Sequence, residues 1–311
     1  MSSTGTSRAD GWRALHVHLP HSLQTAYLRD VIRPVVRAGA QGERFFFLRY
    51  WQGGPHIRLR IDGADQHRID AVRAALLAGM PPMTDELSAE YDYEVSLQSD
   101  LARLESESTL AIRPPGTVEP MAYAPEYAKY GGAEGVRIAE ELFSRTSVAV
   151  LDLAAARPTP EPKAPVGEAI RIMAMSLRGS GLDLDQSRRF LGGYEEFWRR
   201  YVPDGYDRAW AGLYERTRPK VLELCEAVWR EGRTDVFHDV YAHALTAARE
   251  AGTTSGEDIG DLLLGGTPYT RCLSNYLHTT NNRLGIIPAG EAFVAHVMHR
   301  ALSEIGTRTA I

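Results

Sequence analysis

Residues 44–61, RFFFLRYWQGGPHIRLRI, constrain the fold more than any other stretch of the chain. Aromatic residues crowd the first half, as a half-buried strand favours. Gln52-Gly53-Gly54-Pro55 supplies a turn, and residues 56–61 resume with strict alternation. The reading is a β-hairpin with a short glycine-rich loop. Side chains two apart on a strand share a face. Ile57, Leu59 and Ile61 therefore point to a core, while His56, Arg58 and Arg60 line the other side. Two guanidiniums and an imidazole in a row repel unless an anion, a carboxylate or water screens them. Arginine also grips a carboxylate with a two-pronged fork. From the residues alone, the row reads either as a carboxylate-binding wall or as a solvent-facing strand with scattered charge.

The rest of the first third mixes strands and helices. Residues 12–19 alternate as a strand. Residues 22–37 place Leu23, Ala26, Tyr27, Val31, Ile32 and Val35 at helical spacing. A helix is expected over 64–77. Residues 91–95 (YDYEV) and 109–113 (TLAIR) are candidate strands, and 123–132 a loop with a Gly-Gly stop. The second half is helical: 133–156, then, after a proline-rich break at 158–165, further helices including 206–230, 235–251, 268–281 and 288–305. The expected fold is α+β, an antiparallel sheet layered with helices and followed by a mostly helical C-terminal half. One domain is expected over residues 1–311, sheet-rich to residue 132 and helical from 133.

Composition removes several function classes. With 35 Lys+Arg against 40 Asp+Glu the net charge is −5, so no direct nucleic-acid binding is expected. No apolar stretch approaches the ~20 residues needed to cross a bilayer. The first ten residues lack a signal peptide's apolar core. With only Cys225 and Cys272, read as buried free thiols, a cytoplasmic location is expected. The glycine-rich, P-loop, HExxH, CxxC and nucleophile-elbow motifs are absent. Histidines without Cys, Asp or Glu at ligand spacing predict no metal and no organic cofactor.

Two further segments carry chemistry. In residues 274–286, SNYLHTTNNRLGI, His278 lies on a helix that Asn281, Asn282 and Gly285 bring to an end. Imidazole is suited to proton transfer near neutral pH; a capping or core role is the other reading. Residues 123–132, YAPEYAKYGG, form a structured loop in which Glu126 and Lys129 are either pocket or turn residues.

Taken in order, FFFLRYWQGGPHIRLRI, YAPEYAKYGG and HTTNNRLGI resemble the thiopeptide-type bacteriocin biosynthesis domain. The same module forms the C-terminal part of class I lantibiotic dehydratases. WRALHVHLP and EGVRIAEELFSRTSVAVL fit as well, so the resemblance covers nearly the whole chain. It implies a maturation enzyme for a ribosomally made precursor peptide. In one family reaction, a separate tRNA-dependent glutamylation protein first esterifies Ser or Thr. The module then removes the α-proton and expels glutamate. The resemblance assigns Arg58, Arg60 and His278 to catalysis. It assigns His56, Tyr123, Glu126, Lys129, Asn282 and Arg283 to substrate binding. Relatives on the same scaffold instead join two dehydroalanines by a formal [4+2] cycloaddition, giving a thiopeptide pyridine with loss of the leader. Retention of Arg58, Arg60 and His278 favours elimination. Against it, lantibiotic members often carry a further arginine near the position of Pro125, and Arg113 or Lys129 is the substitute available here. A non-catalytic scaffold that holds the precursor is the reading from another class. A glutamylation region is missing from these residues, so a partner enzyme is expected, with room for a homodimer. One reaction served by both groups also predicts His278 near the arginine row.

Overall fold

The structure, a computed structural model, describes residues 11–39, 42–105, 108–156, 166–252 and 268–309. The polar first ten residues and the proline-rich break at 158–165 lie outside them. The fold is α+β as the sequence predicts, with one four-stranded antiparallel sheet in the N-terminal part and a helical C-terminal half. The chain divides into two compact units: Met1–Pro125 with Ser147–Pro162, and Glu126–Thr146 with Lys163–Ile311.

In the first unit, β1 (Trp12–His18), β2 (Phe45–Tyr50), β3 (His56–Asp62) and β4 (Val118–Met121) form a sheet in the order β2-β3-β1-β4. The hairpin is β2–β3, with Phe47 opposite Leu59 and Tyr50 opposite His56. One face carries Leu15, Val17, Phe47, Ile57, Leu59 and Ile61, each no more than 1% exposed. Full burial of one such side chain contributes roughly 1.5–3 kcal/mol, so this face fixes the register of every strand. Arg49 lies on the same side, where its Nη2 donates to Thr25 at 3.1 Å. Burial lowers its pKa to about 10.

The helix expected over 22–37 is three linked pieces: α1 (His21–Tyr27), a π turn (Leu28–Ile32) and α2 (Arg33–Arg37). Pro34 cannot donate to Asp30, and its ring would meet that carbonyl; the turn ahead of it is widened instead. α3 (Gln66–Ala78) starts where Asp65 accepts from the Arg68 amide at 2.7 Å, a regular N-cap.

Two expected strands are not strands. Residues 91–95 belong to α4 (Asp85–Ser96), started by a Thr84 cap with Asp85 and Glu86 in the first turn. The period-two reading of YDYEV fails because Tyr91 is buried while Tyr93 is 66% exposed. α5 (Gln98–Glu105) follows. Residues 109–113 join no ladder. The fourth strand is β4, which holds Pro120. An edge strand tolerates proline because its outward amide needs no partner. The Val118 carbonyl at this edge accepts from Arg73 Nε at 2.9 Å, and at the other edge the Phe47 amide donates to Ser147 Oγ at 3.2 Å.

α6 (Tyr127–Tyr130) is a single turn within the expected loop, and α7 (Ala133–Ala155) follows it. The second unit continues with α8 (Val166–Gly179), α9 (Leu184–Trp198), α10 (Tyr206–Trp229), α11 (Val236–Glu250), α12 (Pro268–Leu284) and α13 (Pro288–Thr309). A capping box of Asp183 and Gln186 starts α9. α13 packs against α8, α9 and α10, and α11 against α8. Val294, Met298, Ala301, Leu302 and Ile305 of α13 are fully buried. α12 ends at Leu284, where Gly285 takes φ 84°, a left-handed stop that glycine adopts without strain. Cys225 and Cys272 are buried thiols outside any disulfide, and burial pushes the Cys225 thiol up to about 12. Among the described residues no helix is long and apolar enough to cross a membrane.

Candidate functional site

The second face of the sheet carries His56, Arg58 and Arg60 side by side, backed by Ile57, Leu59 and Ile61. Strand pairing widens this row into a patch. His16 lies opposite Arg58, His18 opposite His56 and Ala14 opposite Arg60 on β1. Phe46, Leu48 and Tyr50 flank it from β2, and Glu119 stands opposite His16 on β4.

The cations rest on aromatic rings. Arg58 lies 3.3 Å from the centroid of Tyr50, and Arg60 lies 4.5 Å from Tyr123 and 5.1 Å from Phe46. Such contacts stabilise a cation by about 0.5–2 kcal/mol without neutralising it. Arg58 Nε also donates to His56 Nε2 at 3.2 Å, and His56 Nδ1 donates to the Gly54 carbonyl at 2.8 Å. These two bonds are compatible only with neutral His56 carrying its proton on Nδ1.

All three histidines of the patch are held neutral. Burial, then neighbouring positive or imidazole groups, lowers His56 to about 2 and His16 to about 3. Burial lowers His18 to about 4, partly offset by Glu119, whose Oε1 is 3.6 Å from His18 Nε2. His16 and His18 stack on His56 at 4.6 and 4.7 Å. Arg113, one of two substitutes considered for the missing loop arginine, pairs with Glu119 at 2.9 Å and so reaches the margin of the patch.

The turn before β3 has little freedom. Gly54 takes φ 102°, and a Cβ there would overlap the Tyr91 hydroxyl, which donates to the Arg113 carbonyl at 2.7 Å. Gly54→Ala is therefore expected to cost about 2–3 kcal/mol through backbone strain and overlap. A drop in the urea unfolding midpoint at unchanged slope checks this; an unchanged midpoint would refute it.

His278 lies in the second unit, on α12. Its Nδ1 is 2.7 Å from Glu291 Oε1 on α13, and its ring stacks on Trp198 of α9 at 4.6 Å. The imidazole side chain is 30% exposed, whereas Glu291 is fully buried. A half-open imidazole backed by a buried carboxylate is suited to accepting and returning a proton.

The remaining predicted residues divide. Tyr123 belongs to the patch through Arg60. Glu126 and Lys129, in the second unit, pair with each other at 3.3 Å. Asn282 is half-buried. Arg283 is fully enclosed: its Nη1 donates to the Thr279 carbonyl at 2.8 Å and its guanidinium lies over Phe143. It is a strut of the helical core rather than an open binding group. Sequence reading did not single out His16, His18, Tyr50, Glu119 or Glu291. The signal for the first two was the i, i+2 spacing in LHVHL. Among the described residues, no group of three His, Cys, Asp or Glu side chains is placed to hold a metal.

An α+β chain with a guanidinium pair on its sheet and an imidazole–carboxylate pair among its helices is equipped for proton transfer and anion binding. The model of the lantibiotic biosynthesis dehydratase C-terminal family matches residues 12–302, and the chain belongs to that family. This places it among the enzymes that mature ribosomally made peptides. Three solved structures share the fold. The pyridine synthase TbtD from thiomuracin biosynthesis is 18% identical, with TM-score 0.69 over 95% of this chain and 98% of that one. TsrL is 17% identical, with TM-score 0.64 over 95% of each. The tRNA-dependent lantibiotic dehydratase MibB from Microbispora sp. 107891 is 22% identical, with TM-score 0.58, covering 99% of this chain and 29% of that one. No curated protein matches the sequence.

Proposed function

We propose that the protein eliminates glutamate from glutamylated Ser or Thr residues of a precursor peptide. The observation that carries this reading is the Arg58–Arg60 pair on a face whose three histidines are neutral. Such a face supplies positive charge to a carboxylate without a competing proton donor of low pKa. In the reaction the base takes the α-proton, the C–H electrons form the Cα=Cβ bond, and the Cβ–O bond breaks. The glutamate carboxylate departs with that electron pair. Arg58 and Arg60 bind the departing anion, where fixed donors are worth most. His278 takes the proton. A partner protein that glutamylates the peptide supplies the substrate.

The test uses two substrates. A precursor bearing glutamyl esters is expected to lose glutamate and gain dehydroalanine, followed by mass. A precursor already bearing dehydroalanines is expected to remain unchanged. Conversion of the second into a pyridine macrocycle with loss of leader, and no action on the first, overturns elimination in favour of cycloaddition. Inertness toward both, with peptide still bound, assigns the chain to the scaffold class.

A further inference from the structure

Behind His278 lies a set of side chains that the proposed chemistry has not yet used. α9 contributes Tyr194 and Trp198, four residues apart and so on one helical face. α12 contributes His278 and Asn281, and α13 contributes Glu291 in its first turn. All belong to the second unit. Glu291 Oε1 faces His278 Nδ1. Its Oε2 accepts from the Tyr194 hydroxyl and from Asn281 Nδ2, the latter at 3.2 Å. Burial, then the adjacent Glu291, holds the Tyr194 phenol well above its usual range. Tyr194 therefore keeps its proton and donates it to the carboxylate.

We propose that Glu291 is a positioning residue that fixes His278 as the Nδ1–H tautomer, making Nε2 the atom that accepts the substrate proton. The argument is geometric. An acceptor-only carboxylate at 2.7 Å requires a hydrogen on Nδ1. Glu291 cannot swing away, because Tyr194 and Asn281 hold its other oxygen. Trp198 fixes the plane of the ring, at 22° to its own. Nδ1 is engaged with a fully buried group, which leaves Nε2 as the ring nitrogen outside that bond, on a side chain that is 30% exposed. When Nε2 takes a proton the ring becomes a cation, and the carboxylate lies ready to stabilise it. The catalytic half of this proposal rests on the reading that His278 moves a proton; the tautomer half does not.

The experiment reads the two halves separately in the full-length protein. Two-bond 15N–1H correlation of 15N-histidine-labelled protein reports the neutral tautomer of His278, assigned by its loss in His278→Ala. Wild type is expected to show Nδ1–H with an unprotonated Nε2. Glu291→Gln is expected to keep its amide oxygen on the Tyr194 and Asn281 donors and turn its NH2 toward Nδ1, shifting the signal to Nε2–H. Glu291→Leu removes the acceptor, and the signal is expected to shift to Nε2–H, the ordinary preference of a free imidazole. On the proposed substrate, kcat is expected to fall about 10- to 100-fold for Gln, which loses the charge, and further for Leu, with KM little changed. If Leu does not fold, the Gln variant still decides the matter. Nε2–H in wild type, or full kcat in Glu291→Gln, overturns the positioning role. Nδ1–H in wild type with no glutamate loss in any variant leaves the tautomer assignment standing and sinks the elimination reading instead.

Discussion

Replacing His278 by alanine is expected to slow glutamate loss from the glutamylated peptide by about 10²- to 10⁴-fold, the range that a positioned acid–base group contributes. Its substrate should accumulate as peptide heavier by the glutamyl adducts, and KM should change little. Arg58→Lys has a different signature. Lysine keeps the charge but loses the planar fork, the Nε–H donated to His56 and the flat surface lying on Tyr50. A loss of about 10²-fold in kcat/KM is expected, within the range for removing one oriented donor to a developing anion. Single-turnover assays on one glutamylated peptide separate the two variants. His278→Ala within threefold of wild type would remove His278 from the mechanism. Arg58→Lys at full activity would make the row a simple charge.

The second large effect concerns acid. Between pH 7 and pH 5 the protein is expected to lose roughly 6 kcal/mol of stability. Neutral His16, His18 and His56 have folded pKa values of about 3, 4 and 2, against an ordinary value of 6.5. The unfolded chain therefore binds more protons than the folded one as pH falls below 6.5. Stability is complete above that value and drains away toward the folded values. One buried histidine costs roughly 2 kcal/mol over 1.5 pH units. All three stay neutral in the folded state down to pH 5, so their contributions add. Glu195 acts in a lower window. Burial raises its pKa, but hydrogen bonds from His296, His299 and Arg199 outweigh this and hold the carboxyl well below its usual value of 4.5. Its contribution is lost only below about pH 4.5. Urea unfolding at pH 7.5, 6.0 and 5.0 tests the histidine window, and a flat midpoint across it would count against a neutral cluster.

The hairpin was legible in the sequence because two signals agreed: a period-two pattern and a Gly-Gly-Pro turn between its halves. That was enough to place Ile57 and Leu59 inward and Arg58 and Arg60 together outward. Strand order was not legible. Nothing local to LHVHL says that β1 lies beside β3, so His16 and His18 could not be placed opposite Arg58 and His56. YDYEV was misread because five residues cannot separate alternation from a helical turn when the N-cap lies outside the window. VEPM, only four residues long, carries little strand signal of its own, and its proline is at home on an edge strand alone. On α12, helical geometry turns each residue by about 100°, so Arg283 lies about 140° around from His278. Membership of one short motif did not place them on one face. Glu291 carried no signal at all, since its meaning depends on two neighbouring helices.

The capped sheet edges have a consequence for how this protein handles its clients. Extended chains join exposed strands through backbone pairing, with little regard to sequence. Here a stray peptide seeking to become a fifth strand meets the Arg73 guanidinium at one rim, where Pro120 also lacks an amide to offer, and the Ser147 hydroxyl at the other. An enzyme working on peptides is thereby discouraged from recruiting them into β-zippers, or from templating its own FFFL segment into fibres. Selection between clients then falls to side chains, which can tell one sequence from another.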